Sequence, residues 1–309
     1  MLEILRKIHR LLWSFKYNFL TPFKWHLQAI FMRAISTSRG ATLIDTKKKY
    51  LILAPHSDDE WIGCSQIIMN CPNTIICNMN MQGGDTAEVH KIRYNEMLSV
   101  ANRFKRKFVT IMEDKIANLQ CVISRETPDF ILLPHFVDWH PEHLEVMEML
   151  KQLVSNGFYA GHILTYQVSV PFTNGEDSCY LPMTKEQQCF KWKVFFEHYK
   201  TQSFMPVKRF IANEYINGAG VFSKNAELYK LYVAEEWVKA MDFFNEHMEN
   251  RKIFQRNIND IFCIRRLVSS ICKSNLLSFR FVFVSFLLAS VGSTRFYKAF
   301  GHFGVGIKV

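Results

Sequence analysis

One stretch sets the architecture of this chain: YLILA at residues 50–54, followed directly by PHSDDEWIGC at residues 55–64. The apolar run predicts a buried strand, and a histidine and three acids then fall within five positions. Neighbouring carboxylates repel one another, and their pKa values rise unless a cation or strong donors hold them ionised. The segment is therefore either a solvated loop or a place where a positive group binds.

The same alternation of apolar and amphipathic runs continues along the chain. Strands are predicted at 50–54, 74–80, 108–112, 129–135 and 162–168, with helices at 62–69, 86–104, 115–124 and 142–154 between them. Continuous Ile, Leu and Val runs separated by helices indicate parallel strands covered on both faces. We expect a Rossmann-like, doubly wound α/β sheet, mostly parallel, with right-handed crossovers. Beyond a loop at 171–185, further helices are predicted at 190–199 and 225–248.

The net charge of +10 is concentrated at the two ends of the 309-residue chain. Residues 1–50 hold ten Lys and Arg against two acids, residues 251–309 hold ten against one, and the remainder is acidic. This asymmetry argues against a nucleic-acid-binding core and for basic arms that meet an anionic surface. We expect three parts: a basic amphipathic extension at 1–48, a globular domain at 49–250 and a basic, hydrophobic extension at 251–309.

Both extensions are predicted to be helical. Residues 4–33 combine apolar residues, Trp13 and Trp25 with lysines and arginines, a composition typical of helices that lie on an anionic bilayer. The apolar run at 281–292 has twelve residues, fewer than the roughly 20 needed to span a membrane. The extensions therefore either dock on a membrane surface or pack on the body or on a partner subunit.

The cysteines and the N-terminus bear on the compartment. The eight cysteines include no CxxC pair, which in a chain of this size predicts free thiols in a reducing compartment. Lys16 and Lys24 interrupt the apolar N-terminus before it reaches the length of a signal-peptide core. We expect a cytoplasmic protein, peripheral on the inner face of a membrane.

A second polar cluster, PHFVDWHPEH at residues 134–143, follows the fourth predicted strand. Ligands of open parallel sheets bind beyond the carboxyl ends of the strands, so both clusters are expected at one edge. Imidazole and carboxylate are good zinc ligands, and a catalytic zinc uses three protein ligands. His56, Asp59 and one histidine of the second cluster make such a set, and a dication would hold the neighbouring carboxylates ionised.

The two clusters together resemble the LmbE/PIG-L family of zinc-dependent N-acetylglucosaminyl deacetylases. The usual motifs of that family are (A/P)HPDDE and HPDH, and PHSDDE and HPEH stand here in the same order, about eighty residues apart. The resemblance covers roughly residues 49–205 and includes RYNE at 93–96, in a predicted helix, and YKTQ at 199–202, where H-x-S-Q is common. Neither RYNE nor YKTQ is specific alone. All the motifs together, in this order and at the ends of predicted strands, are specific for the family.

The resemblance implies a role for each matching residue. The zinc ligands would be His56, Asp59 and His143. Asp58 would be the general base that deprotonates the metal-bound water, and His140 would stabilise the oxyanion or protonate the leaving group.

Arg93 would bind the substrate sugar, although pairing with Glu96 on the same helix is the alternative interpretation. Two other residues of the second cluster also have two interpretations. Asp138 would either orient a ligating histidine or simply form a turn, and His135 would either support the ligands or be structural.

Three positions depart from the family pattern. Ser57 replaces the usual proline, Glu142 replaces the usual aspartate between the two histidines, and Tyr199 stands where a histidine is common. None of these changes removes a ligand or the base.

We therefore expect a zinc-dependent hydrolase that removes acetyl from an N-acetylated amino sugar of the N-acetylglucosamine type, carried on a lipid or a nucleotide in glycan or glycolipid biosynthesis. One alternative is an amidase that acts on another acylated sugar or on a thiol conjugate. The other is a non-catalytic module that its basic extensions recruit to a membrane. An intact base and ligand set count against this module, because degenerate copies commonly lose one of them.

Overall fold

The computed structural model describes residues 16–36, 42–81, 84–171, 178–246 and 249–273. Residues 4–15 of the membrane-binding helix predicted at 4–33, and the apolar run at 281–292, lie outside these residues. The strands are β1 (Thr42–Leu43), β2 (Tyr50–Ala54), β3 (Thr74–Asn78), β4 (Lys107–Thr110), β5 (Phe130–Pro134), β6 (His162–Tyr166), β7 (Ser178–Met183) and β8 (Asn225–Val233). The α-helices are α1 (Thr21–Ile35), α2 (Asp59–Asn70), α3 (Ala87–Arg103), α4 (Lys115–Glu126), α5 (Pro141–Ser155), α6 (Lys185–His198), α7 (Val207–Ala219), α8 (Ala234–Glu246), α9 (Glu249–Arg256) and α10 (Ile261–Lys273).

The strands form one sheet in the order β1-β7-β8-β6-β5-β2-β3-β4. β8 runs antiparallel to its neighbours β6 and β7, and the other neighbouring pairs are parallel. β2 and β3 are buried along their whole length, because one hydrophobic core covers each face of the sheet. The mostly parallel α/β sheet predicted from the sequence is confirmed. The loop predicted at 171–185 is wrong for Ser178–Met183, which form β7 because they pair with β1 and β8.

The strand order reverses between β2 and β5. From β2 the chain proceeds outward to β3 and β4 on one side, then returns to place β5 and β6 on the other side of β2. In open α/β sheets this switch point leaves a crevice at the carboxyl ends of the two strands, where ligands bind. The two polar clusters of the sequence follow these two strands.

The helix predicted over 225–248 is wrong for its first part. Residues 225–233 form β8, which pairs with both β6 and β7 inside the sheet, and the helix α8 begins at Ala234. The segment NAELYKLYV contains Tyr229, Tyr232 and Val233, and aromatic and β-branched residues of this kind favour strands. Pairing on both sides satisfies its backbone groups and overrides the helical propensity of its Ala, Glu and Leu residues.

Gly63 allows α2 to approach β6 closely. A Cβ atom at this position would lie 2.2 Å from Cδ2 of the Tyr166 ring, far inside van der Waals contact. The Tyr166 hydroxyl in turn donates a hydrogen bond to the Leu53 carbonyl oxygen at 2.9 Å. The glycine, the ring and the β2 backbone therefore fix the height of α2 above the sheet.

The basic helix α1 packs on the body of the protein. Trp25 and Ala29 are buried against Ala212 and Ile216 of α7, and Trp25 Nε1 donates a hydrogen bond to the Asn259 carbonyl oxygen at 3.1 Å. None of the helices within the described ranges is long and apolar enough to cross a membrane.

Candidate metal centre

The two polar clusters meet at the switch point of the sheet. β2 and β5 are neighbours and run in the same direction, so the loops that follow them leave the sheet at the same edge. The first loop leads into α2, which begins at Asp59. The second leads into α5, which begins at Pro141, and a proline suits the first turn of a helix because its φ is fixed and its missing N–H is not needed there.

Three histidine rings converge at this edge. The His56 and His140 ring centroids are 4.7 Å apart, as are those of His140 and His143, and those of His56 and His143 are 5.2 Å apart. One ring nitrogen from each lies within 4.8 Å of the others. The sequence assigned these rings to the same site, and the fold brings them together from loops about eighty residues apart.

The Asp59 carboxylate lies between two of these rings. Its Oδ2 atom is 3.3 Å from His56 Nδ1 and 3.2 Å from His143 Nε2, and it also accepts the backbone N–H of His56 at 3.0 Å. Burial alone would raise the pKa of Asp59, but His143 and His56 outweigh burial and hold that pKa well below its usual range. This carboxylate is therefore ionised at neutral pH.

The other nitrogen of each of these two rings contacts a carboxylate. Glu142 Oε2 is 2.5 Å from His56 Nε2, and Asp138 Oδ2 is 3.2 Å from His143 Nδ1. Asp138 is itself fixed by the backbone N–H groups of His140, at 3.0 Å, and Ser169, at 3.3 Å. A carboxylate on the far nitrogen of a metal-binding imidazole sets its tautomer and orientation, so both rings direct their remaining nitrogen toward Asp59.

The arrangement fits a zinc ion. Tetrahedral zinc with nitrogen and oxygen ligands at 2.0–2.1 Å keeps those ligands roughly 3.3 Å apart, which matches the spacing of the Asp59 oxygen from the two ring nitrogens. Despite burial, the carboxylates around His56 and His143 raise the pKa of both rings in the metal-free site. Loss of the proton from the inward nitrogen would make each ring a nitrogen donor while its other nitrogen stays bonded to a carboxylate, and Asp59 supplies the negative oxygen. The donor set is that of a catalytic zinc site.

Asp58 is held in a strained conformation beside these ligands. Its φ of 118° lies in the left-handed region that side chains other than glycine rarely adopt, and such strain often accompanies a function. The side chain is buried, and its Oδ2 atom has no hydrogen-bond partner among the described residues. Burial, together with the neighbouring Asp59 and Glu60 carboxylates, raises the pKa of Asp58 well above its usual range.

Glu60, the third acid of the run, is stabilised by hydrogen-bond donors and not by imidazole rings. Glu60 is fully buried, the Tyr199 hydroxyl donates a hydrogen bond to it, and it accepts the backbone N–H of Asp58 at 3.1 Å. Burial raises the pKa of Glu60 to about 7 despite these donors. All three acids are thus buried, which excludes the solvated-loop interpretation of this segment.

His140 lies beside the rings of His56 and His143 but has fewer hydrogen-bond partners than they have. It is half-buried, and its Nδ1 atom has no hydrogen-bond partner within the described part of the chain. Burial and the neighbouring rings of His143 and His56 lower the pKa of His140. The side chain can therefore exchange a proton with a bound ligand, or add a third ring nitrogen to those of His56 and His143 as a potential metal donor.

Arg93 is positioned by two partners from other segments. Its Nη1 atom is 2.7 Å from Asp85 Oδ2, and the Gln202 side-chain oxygen accepts from Nη2 and Nε at 2.9 and 3.1 Å. Glu96 instead accepts from the backbone N–H and the hydroxyl of Thr201, at 2.9 and 2.6 Å. The sequence motifs at 93–96 and 199–202 therefore bind one another, and the expected alternative, an Arg93–Glu96 pair, is not what the described contacts show.

Two other histidines have partners outside the group of three rings. His135 is buried against Phe136, and burial lowers its pKa to about 3, so it remains neutral. His198 Nδ1 is 2.7 Å from the Ser99 hydroxyl, and Arg103 donates to its Nε2 at 2.9 Å.

A buried ionic network under α2 was not predicted from the sequence. The Lys191 ammonium is 2.8 Å from Glu214 and 2.7 Å from Glu227, and it donates to the Ile62 carbonyl at 2.7 Å. Glu227 also accepts the backbone N–H of Gln66 at 2.8 Å. These residues lie far apart in sequence, on α6, α7 and β8, and no local pattern reveals that they meet. The network fixes the helix that carries Asp59.

No family model matches this sequence, and no curated protein matches it. Among solved structures, the chain is similar to N,N'-diacetylchitobiose deacetylase from Pyrococcus horikoshii, with a TM-score of 0.47 and 18% identity over 60% of this chain and 84% of that one. It is also similar to teicoplanin deacetylase in a zinc-inhibited form, with a TM-score of 0.47 and 9% identity over 60% and 98% of the two chains. The chain is also similar to a conserved protein from Thermus thermophilus, with a TM-score of 0.47 and 17% identity over 59% of this chain and 94% of that one. The identities and TM-scores are low, so the function of this site is inferred from its own geometry.

Proposed function

We propose that this protein is a zinc-dependent hydrolase that removes the acetyl group from an N-acetylated amino sugar. The observation that carries the proposal is the position of Asp59 Oδ2, at 3.3 and 3.2 Å from the inward nitrogens of His56 and His143. The buried Asp58 carboxylate next to these ligands supplies the base that hydrolysis requires. The family resemblance of the sequence favours N-acetylglucosamine as the sugar.

Each residue of the site has a role in this reaction. A bound zinc ion would supply a Lewis acid and water whose pKa falls to about 7. His56, Asp59 and His143 would hold that ion, and Asp58 would accept a proton from the attacking water. A C–O bond forms at the acetyl carbon and the C–N bond breaks. The proton that Asp58 takes up would be passed to the departing nitrogen, and His140 would relay it or stabilise the oxyanion, so that acetate and a free amine are released.

Arg93 would bind the sugar. Its planar guanidinium, fixed by Asp85 and Gln202, presents donors in a rigid arrangement that suits hydroxyl or phosphate oxygens. The sugar is proposed to be carried on a lipid or a nucleotide in glycan or glycolipid biosynthesis, and the protein to act in the cytoplasm at the inner face of a membrane. These finer points derive from the charge distribution of the sequence.

Acetate release tests the proposal. The full chain, stripped with a chelator and then reloaded with zinc, is incubated with N,N'-diacetylchitobiose, with a nucleotide-linked and with a polyprenyl-diphosphate-linked N-acetylglucosamine. We expect zinc-dependent acetate from at least one of them and none from Asp58→Asn protein. Zinc-loaded protein that releases acetate from none of the three, but cleaves a thiol conjugate or another acylated sugar identified by mass spectrometry, would support the alternative amidase. Protein that binds no zinc and releases no acetate would support the non-catalytic module.

A further inference from the structure

An apolar groove of about 630 Å³ lies between α1 and α7. It will be called the α1–α7 groove. Its wall on the α1 side includes Phe23 and Ile30, and its wall on the α7 side includes Ile211 and Ala212. Phe23 is 55% exposed and Ile30 is 47% exposed, so these side chains line the groove without filling it.

The apolar surface continues along the outer side of α1. Phe23, Leu27, Phe31 and Ile35 follow one another at four-residue spacing, which places them along one side of a helix. Each is more than half exposed, at 55%, 51%, 54% and 53%. A contiguous apolar stripe of this kind on a soluble surface marks a site of interaction, and the opposite side of α1 already packs on α7 through Trp25.

Three lysines border the groove. Lys185 lies at the start of α6, Lys208 at the start of α7, and Lys224 directly before β8. None of their ammonium groups forms a salt bridge with any residue in the described ranges. An apolar groove bordered by three exposed lysines that form no salt bridge among the described residues fits an amphiphile that is anionic.

Charge argues against the chain itself as the occupant. Residues 1–15 hold three bases and one acid, and residues 274–309 hold four bases and no acid. Either segment would bring positive charge against the three lysines, and a second copy paired symmetrically through this groove would bring the same three lysines. An anionic bilayer offers both an apolar interior for the stripe and phosphates for the lysines.

The groove lies at the same edge of the sheet as the metal centre. Met183 at the end of β7 pairs with Asn225 at the start of β8, so Lys185 and Lys224 stand beyond the carboxyl end of β7. β8 is separated from β2 by β6 and β5, which is three strand spacings, or about 14 Å. The groove and the candidate metal site therefore lie along the same edge of the sheet.

We propose that the α1–α7 groove docks on an anionic phospholipid bilayer, with the apolar stripe of α1 in the interface and Lys185, Lys208 and Lys224 on the lipid phosphates. Docking turns the sheet edge that carries the metal centre toward the membrane. The proposal goes beyond the deacetylase function and does not depend on it, because binding is measured without turnover.

Vesicle co-sedimentation of the full chain tests the proposal, with vesicles of phosphatidylcholine alone and of phosphatidylcholine mixed with phosphatidylglycerol. We expect binding to the anionic vesicles that weakens as salt is added. The triple variant Lys185→Glu, Lys208→Glu, Lys224→Glu should bind at least about tenfold more weakly, since each lysine near the surface contributes about 1 kcal/mol. A control with equal charge change, Lys47→Glu, Lys105→Glu, Lys239→Glu, alters exposed lysines outside the groove and should bind far better than the groove variant.

The apolar half of the proposal has its own pair of variants. Phe23→Gln with Leu27→Gln should reduce binding, whereas Phe158→Gln, at an exposed position outside the groove, should not. Binding that is equal on neutral and anionic vesicles, or equal for the two lysine triples, would overturn the proposal. So would sedimentation velocity showing a dimer that Phe23→Gln with Leu27→Gln dissociates, because the stripe would then belong to a subunit interface.

Discussion

At the scale of single residues, the three neighbouring acids of the site differ in the partners that stabilise their carboxylates. Asp59 is held by two imidazoles, and Glu60 by the Tyr199 hydroxyl. Of the acids at 58–60, Asp58 alone has a buried oxygen with no hydrogen-bond partner among the described residues, and its backbone conformation is strained. A carboxylate whose burial raises its pKa and whose oxygen has no hydrogen-bond partner is suited to accept a proton.

Asp58→Asn should therefore abolish turnover without loss of metal. Removing a positioned general base lowers kcat by about 10²–10⁴, while the three ligands remain in place. The measurements are the rate of acetate release and the zinc content of the purified variant. Glu60→Gln is the matched control, because it changes the next carboxylate in the run and should lose less activity. Near-normal kcat in Asp58→Asn would show that another group is the base.

Asp138→Asn should weaken zinc binding. The Asp138 carboxylate contacts His143 Nδ1 and is itself held by two backbone N–H groups, and loss of such a partner typically costs about 10–100-fold in metal affinity. Competition with a chromogenic chelator measures the affinity. Asp129→Asn, which changes a carboxylate bonded to the Lys49 backbone N–H before β5, should leave it unchanged. Equal affinities in the two variants would contradict the role of Asp138.

At the scale of elements, α2 is the part whose position matters most. Asp59 begins this helix, so any shift of α2 moves a ligand. Tyr166 packs directly on Gly63, and the buried Lys191 network holds the helix through the Ile62 carbonyl. The helix is thus fixed at two points within its first two turns.

Gly63→Ala should lower both stability and zinc affinity. The added methyl group would meet the Tyr166 ring at 2.2 Å, and overpacking of this kind costs about 1–3 kcal/mol. Urea denaturation and chelator competition are the measurements. In Gly157→Ala the new Cβ meets nothing within 4 Å, although φ is +76°, so stability should fall while zinc affinity is kept. A Gly63→Ala protein as stable as the wild type would contradict the contact.

At the scale of the whole molecule, the sheet and the position of the site could be predicted because both depend on local patterns. The continuous apolar runs at β2, β3, β5 and β6 identify buried parallel strands. The polar clusters that directly follow β2 and β5 in the sequence place the site at the carboxyl ends of these two strands. β8 could not be predicted, since its pairing with β6 and β7 rather than its own composition determines its conformation. The contacts of Glu142 with His56 and of Asp138 with His143 likewise depend on how distant loops meet.

Zinc should stabilise the whole fold. An ion that binds the folded chain but not the unfolded one adds about 2.7 kcal/mol at a concentration one hundred times its dissociation constant. Differential scanning calorimetry of chelator-treated protein should therefore show a higher Tm after zinc is added. His143→Ala protein should show no such increase, and an equal increase in both would mean that zinc binds elsewhere.

The most direct test of the account is an anomalous difference map at the zinc absorption edge, from crystals of the full chain prepared without chelators and supplied with zinc. The account predicts one peak at the switch point, within about 2.0–2.2 Å of His56 Nδ1, Asp59 Oδ2 and His143 Nε2. A map with no peak between the loops that follow β2 and β5, or with zinc bound by other residues, would contradict it.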